Sequence, residues 1–257
     1  AEFLTVRSIW DYCTKELDPM NDPIDIIRSA VKVNSVISNE GLSKEYGLAI
    51  GRNLDLNCRK GLMTRDLTTN SMIAAAAGAD ARMAGAPVSV VANSGSGNQG
   101  ITCSVPLIEY AKELHSGKEK LYRALIISNL VAIHEKTGIG TLSAYCGAIS
   151  AGAGAGAGIA YLCGGDYDAV IHTVVNALAV VSGVICDGAK ASCAAKIATA
   201  VEAGLLGYNM YIRGNQFRAG DGIVAKGVEN SLKNVGRLGK QGMKETNNEI
   251  IAIMVGC

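Results

Sequence analysis

The sequence predicts an all-α fold, and three observations carry that reading. Aromatic residues make up only 5% of the 257 residues, whereas glycine alone numbers 31 and often alternates with alanine. Small side chains in that quantity suit helices packed at close range better than an aromatic-rich β-sandwich. Only four prolines interrupt the chain, Pro19, Pro23, Pro87 and Pro106, and apolar residues recur at helical spacing through most of its length. Roughly nine or ten helices are expected, with one short strand-like segment and Gly-rich loops. No linker of Pro, Ser or charge divides residues 1–257, so a single domain is expected.

Taken in order, Phe3 to Tyr12 is apolar at helical spacing. Asp22-Pro23 supplies an N-cap followed by Pro at the first helical position, leading into Ile24 to Ile37. Gly41 and Ser43 mark a break, Gly47 to Arg59 resumes a helix, and Thr64-Arg65-Asp66 forms a polar hinge. Thr69 to Met83 is Ala-rich and closes on Gly85 as C-cap glycine. Pro87 to Ala92 reads as a short strand, followed by Ser94, Gly95, Ser96, Gly97, Asn98 and Gln99 in a Gly-Ser-Asn loop ahead of a helix from Ile101 to Leu114. Its N–H groups form an anion cradle, and its place between two apolar runs sets it apart from a solvated turn.

Lys118 to Ile133 is an amphipathic helix ending at His134-Glu135-Lys136. There His134 is either a proton carrier or a cation on the helix dipole. Leu142 to Leu162 is a helix of small residues. Each interior glycine costs up to about 1 kcal/mol relative to alanine, so those in 151–158 imply a close approach to the backbone, by neighbouring helices first and a prosthetic group second. Asp168 to Ile185 and Ala194 to Tyr211 are apolar helices, the first carrying His172 and Asn176 as core polar residues. Arg213 to Gly227 is a Gly-rich loop. Val228 to Lys240 is the last helix, before a polar break and an apolar ending.

Charge excludes one class of partner. With 24 basic and 23 acidic residues, net +1, no basic field exists to hold nucleic acid. The uncharged stretch Thr141 to Gly165 has the length of a membrane span, but Gly, Ala and Ser dominate it, so a helix buried in protein is expected. Eight cysteines without Cys-x-x-Cys spacing read as reduced thiols rather than a disulfide frame or a zinc ribbon.

Reactive groups concentrate in Val184 to Lys196, which holds Cys186, Asp187, Lys190, Cys193 and Lys196. Cys146 lies upstream in small-residue surroundings, and the two segments are expected to face one another across a site. Three thiolates hold a cubane iron–sulfur cluster while leaving one iron open as a Lewis acid. Cys193 falls on the side of Cys186 only if that region is one helix, which Asp187-Gly188 interrupts.

The segments Asn93-Ser-Gly-Ser-Gly-Asn-Gln-Gly100, Leu142-Ser-Ala-Tyr-Cys-Gly-Ala148, Ile185-Cys-Asp-Gly-Ala-Lys190 and Ser192-Cys-Ala-Ala-Lys196 resemble motifs of the L-cysteine desulfidase family. That family is related to the alpha chain of iron–sulfur L-serine dehydratase. The resemblance runs from about residue 20 to the C-terminus. It implies an all-α domain of the serine dehydratase alpha-chain type. It also implies a [4Fe-4S] cluster and conversion of L-cysteine to pyruvate, ammonia and sulfide, with L-serine dehydration as the alternative.

By position, Cys146 and Cys186 match two cluster ligands. The third is expected in a Cys-Thr-Glu-Pro motif of an N-terminal region, from which Cys13-Thr-Lys-Glu16 departs. The chain is therefore expected to be the C-terminal portion of a longer protein, partnered by that missing region. As a fragment it is not assured of the cluster, and a non-catalytic amino-acid-binding role stays open for it. Lys190, next to the cluster ligand, and His134 are the bases expected to take the α-proton, with Lys196 also titratable. The 94–99 loop would hold the substrate carboxylate. A cytoplasmic location is expected, no membrane partner is, and the oligomeric state, homo-oligomer included, stays open.

Overall fold

A computed structural model describes residues 4–140 and 143–256, and among them the protein is all-α. Eleven helices follow in order: α1 (Val6–Asp11), α2 (Asp25–Ser43), α3 (Ile50–Arg59), α4 (Leu67–Met83), α5 (Gly97–Glu113), α6 (Lys118–Ile139), α7 (Gly147–Leu162), α8 (Tyr167–Val181), α9 (Cys193–Tyr211), α10 (Val228–Arg237) and α11 (Lys244–Val255). One-turn π segments extend α1 and α10. Several starts are fixed by side-chain caps. Thr5 and Ser8 form a capping box on α1, Asp66 accepts from Thr69 N–H at 2.8 Å, and Asp166 accepts from Ala169 N–H at 2.9 Å. No helix among the described residues is long and apolar enough to cross a membrane.

The small-residue helix α7 is the hub, packing against α5, α6, α8 and α9. Its glycines make those contacts possible. A Cβ at Gly152 would stand 2.3 Å from Ala200 O on α9, one at Gly154 2.4 Å from Ser128 O on α6, and one at Gly204 2.3 Å from Gly152 O. Neighbouring backbones, the first of the two expected occupants, fill this space. Gly152→Val is expected to cost about 3 kcal/mol and lower Tm by roughly 10 °C, read by calorimetry.

The helix boundaries correct the sequence reading in several places. Asp22 does not cap α2: its carboxylate accepts from Asp18 N–H at 2.8 Å, and α2 starts at Asp25. Gly41 is no breaker but a contact residue inside α2, where a Cβ would fall 1.8 Å from Ala77 O. Pro87 to Ala92 forms no strand: Pro87 sits in a bend, with Val88 N–H donating to Ala86 O at 2.7 Å. The buried Asn34 of α2 acts as the segment's partner instead, accepting from Val91 N–H at 2.8 Å and donating to Val91 O at 3.2 Å.

Other ends move too. α5 begins at Gly97 rather than Ile101, and α6 continues past Ile133 to Ile139, so His134 lies inside it. α7 starts at Gly147, while Thr141 and Leu142 lie outside the described residues, as does Phe3. α8 ends at Val181, short of Ile185. The helix at Val228 closes at Arg237, and the polar break and apolar ending form a further helix, α11. As expected of a core polar group, Asn176 is buried, donating to Gly207 O and accepting from Phe217 N–H, both at 3.0 Å.

Candidate functional site

Cys146 and Cys186 meet through a two-rung antiparallel ladder. Tyr145 and Ile185 face each other across it, Cys186 N–H donates to Ala144 O at 2.6 Å, and Cys146 N–H donates to Val184 O at 3.2 Å. Side chains alternate along extended backbone, so Cys146 and Cys186 leave on the same side. Tyr145 anchors the ladder from within, 1% exposed, its hydroxyl 3.0 Å from Ser182 Oγ.

Both thiols line a cleft of about 410 Å³, together with Arg82, Ser94, Ser96, Asn98, Gln99, Lys136, Cys193 and Lys196. The surroundings favour thiolate at Cys186 and the thiol at Cys146. Cys146 is the N-cap of α7, at the positive end of a helix dipole. The hydrogen bond from Cys146 holds the Cys186 thiol below its usual range, helped by Gly188 N–H and the Lys196 ammonium against the opposing effect of burial. The same bond, with burial, raises Cys146, so the pair keeps one proton. Lys196 is ion-paired with Asp187, which keeps it cationic.

The loop expected to cradle an anion is tighter than its composition suggests. Asn93 and Ser96 exchange backbone hydrogen bonds at 3.0 and 2.9 Å around Ser94 and Gly95, at φ +49° and +78°. Ser96 caps α5 by accepting from Gln99 N–H at 3.4 Å. Gly97 and Asn98 N–H, in the first turn of α5, have no acceptor within the helix, and of the two residues Asn98 lines the cleft. Gln99 packs against the start of α7, where a Cβ on Gly147 would meet its Nε2 at 2.6 Å.

The expected bases lie elsewhere. His134 Nε2 is 2.8 Å from Glu229 Oε2, tying α6 to α10, and Glu229 also accepts from Val6 N–H at 2.7 Å. Lys190 is exposed in the 187–192 loop and is not among the cleft residues. Cys193 opens α9, accepting from Lys190 N–H at 3.5 Å and donating to Gly188 O at 3.6 Å, so it shares no helix with Cys186.

Three residues escaped the sequence reading. Lys136, 8% exposed, lines the cleft, and burial lowers its pKa against the raising effect of the thiol pair. Arg82 donates to Asn98 Oδ1 at 3.3 Å. Glu135, 2% exposed, makes no hydrogen bond of ordinary geometry through either oxygen, and burial raises it to about 8. The Ser150 hydroxyl and the Lys136 ammonium nearby pull it back only in part.

Folded protein thus retains the Glu135 proton up to about pH 8, whereas an ordinary carboxyl releases it at 4.5. The stability Glu135 contributes is full below pH 4.5 and is lost as pH rises to about 8. Glu135→Gln should flatten that fall by a few kcal/mol, measured by urea unfolding across the range.

As a test of fit to an iron–sulfur cluster, the donor chemistry of Cys146 and Cys186 suits two thiolate corners. Among the described residues no group of three His, Cys, Asp or Glu side chains is placed to hold a metal ion. The fit is right in kind and one ligand short.

A profile of the serine dehydratase alpha chain matches residues 7–252. The chain belongs to the serine dehydratase alpha chain family. Among similar members of known sequence, a UPF0597 protein of Desulfitobacterium hafniense is 57% identical over 238 residues, covering 92% of this chain and 54% of that protein. UPF0597 proteins of Finegoldia magna and Treponema denticola are 45% and 44% identical, each over 98% of this chain and 58% of their own. This serine dehydratase alpha chain relative therefore spans little more than half the length of the proteins it matches. No solved structure matches it.

Proposed function

We propose that this family member is the cluster-bearing domain of a β-eliminating lyase that converts L-cysteine to pyruvate, ammonia and hydrogen sulfide. One observation carries the reading: two thiols held to one side by a backbone ladder share a cleft with a buried lysine and a helix N-terminus. Cys146 and Cys186 would hold a [4Fe-4S] cluster, with the third thiolate supplied by the Cys-Thr-Glu-Pro motif that the resemblance assigns to another part of the whole protein. When bound, the cluster supplies Lewis acidity toward the substrate's leaving group.

The chain's own residues supply the rest. The first turn of α5 and the Asn98 side chain receive the carboxylate and orient the substrate. Lys136, whose burial favours the neutral amine, takes the α-proton onto Nζ. The C–H electron pair becomes the Cα–Cβ double bond as the C–S bond breaks and sulfide leaves with its electrons. The resulting 2-aminoacrylate tautomerises to an imine, and water hydrolyses it to pyruvate and ammonia. Lys196, paired with Asp187, stays protonated and helps hold the thiolates. Lys136 replaces the bases expected from sequence, since His134 is engaged with Glu229 and Lys190 faces solvent.

L-Serine differs only in its leaving group. The deciding experiment measures pyruvate and sulfide from each amino acid with anaerobically reconstituted full-length protein. Sulfide stoichiometric with pyruvate from L-cysteine, at a kcat/KM well above that for L-serine, is expected. The reverse preference would make the protein a serine dehydratase, and release of pyruvate from neither would overturn the lyase assignment.

A further inference from the structure

We propose that Arg82 commits the cleft to substrates with a free α-carboxylate, a role that rests on reading the cleft as an amino-acid site. The lining carries, among the described residues, no Asp or Glu, and with Lys196 paired to Asp187 and Lys136 kept for the proton, Arg82 is the cation it offers to an anion. The N-terminus of the 17-residue α5 opens onto it. A second, independent feature points to a ligand there. Gln99 lines the cleft, is 7% exposed, and its Oε1 is buried without a hydrogen-bond partner, an acceptor that suits the ammonium of an amino acid whose carboxylate meets the donors.

Arg82 organises this wall. It lies across the helix start, where a Cβ on Gly97 would meet its Nε at 2.3 Å. Its Nη1 donates to Asn98 Oδ1 at 3.3 Å. With the Asn98 oxygen engaged, what Asn98 offers a ligand is its NH2 group. The wall is thus donors backed by a fixed charge, and a guanidinium meets a carboxylate through two parallel N–H···O bonds that neither an ester nor a lysine reproduces.

The test compares L-alanine, which has the carboxylate and ammonium but no leaving group, with L-alanine methyl ester. Binding to full-length protein is measured by calorimetry. Wild type should prefer the acid by about 10- to 100-fold, the difference a charge-assisted hydrogen bond supports. Arg82→Met should lose that preference by weakening the acid alone, and Arg82→Lys should restore part of it. Should Arg82→Met fail to fold, Arg82→Lys decides, because it keeps the charge without the paired N–H groups: the acid should weaken and the ester should not.

Acid binding unchanged in Arg82→Met, equal loss of acid and ester, or no acid preference in wild type would each overturn the proposal. Turnover is read separately. A protein that binds L-alanine through Arg82 but eliminates nothing from cysteine or serine would sink the lyase reading and leave this one standing.

Discussion

Cys186→Ser in the full-length protein is expected to leave the fold intact, remove bound iron and acid-labile sulfide, and reduce lyase turnover by about a thousandfold or more. The magnitude follows from losing several kcal/mol of Lewis-acid stabilisation at the leaving group, at 1.36 kcal/mol per factor of ten. The fold should tolerate the change, because what Cys186 contributes to the ladder is its backbone N–H, bonded to Ala144 O, and not its sulfur. Serine also lacks the lowered thiol pKa that Cys146, with Gly188 N–H and Lys196, produces against burial. Iron content by elemental analysis and the visible absorption of the anaerobic protein are the measurements. Unchanged iron with unchanged turnover would remove Cys186 from the ligand set. Cys193→Ser is the control: its sulfur is turned into its own 188–193 turn, and iron content should hold.

The second large effect belongs to Lys136→Met, expected to lower kcat by about 10²- to 10⁴-fold, the range for a positioned general base. KM should change little, since the carboxylate is held on another wall. The wild-type rate should rise with pH along a limb lying below the ordinary lysine value of 10.5, because burial favours the neutral amine, and that limb should vanish in Lys136→Met. His134→Gln and Lys190→Met, tested alongside, should keep kcat within a few-fold. A full loss in either, with Lys136→Met active, would move the base to that residue.

The helical class was legible in composition because small residues, few prolines and periodic apolar spacing are bulk properties that boundaries do not disturb. The boundaries failed where a residue's ordinary meaning was inverted by packing. Gly41 looks like a helix breaker, but it is glycine because Ala77 O of α4 lies where its Cβ would be. His134-Glu135-Lys136 looks like a frayed polar end, yet the buried face of α6 runs through Ser128, Val131, Ala132, Glu135, Lys136 and Ile139. Continuing that register past Ile133 would have exposed Lys136 as inward-facing.

The site followed the same pattern. Cys146 and Cys186 stood out through their small, reactive surroundings, but the ladder that joins them is made of backbone groups, to which side-chain identity is blind. Arg82 was hidden for a similar reason. It occupies the last turn of α4, and only the tertiary placement of α4 beside α5 brings it to Asn98.

The near-contact of α7 with α9 at Gly152, Gly156 and Gly204 has a mechanical consequence. An interface made of backbone has no rotamers to adjust, so these two helices translate or tilt only as one block. Cys146 at the head of α7 and Lys196 in the first turn of α9 ride on that block. The 182–192 connector, which carries Cys186, stands outside that block and is tied to residues 144–146 by the two backbone rungs, so the distance between the thiols depends on those two hydrogen bonds.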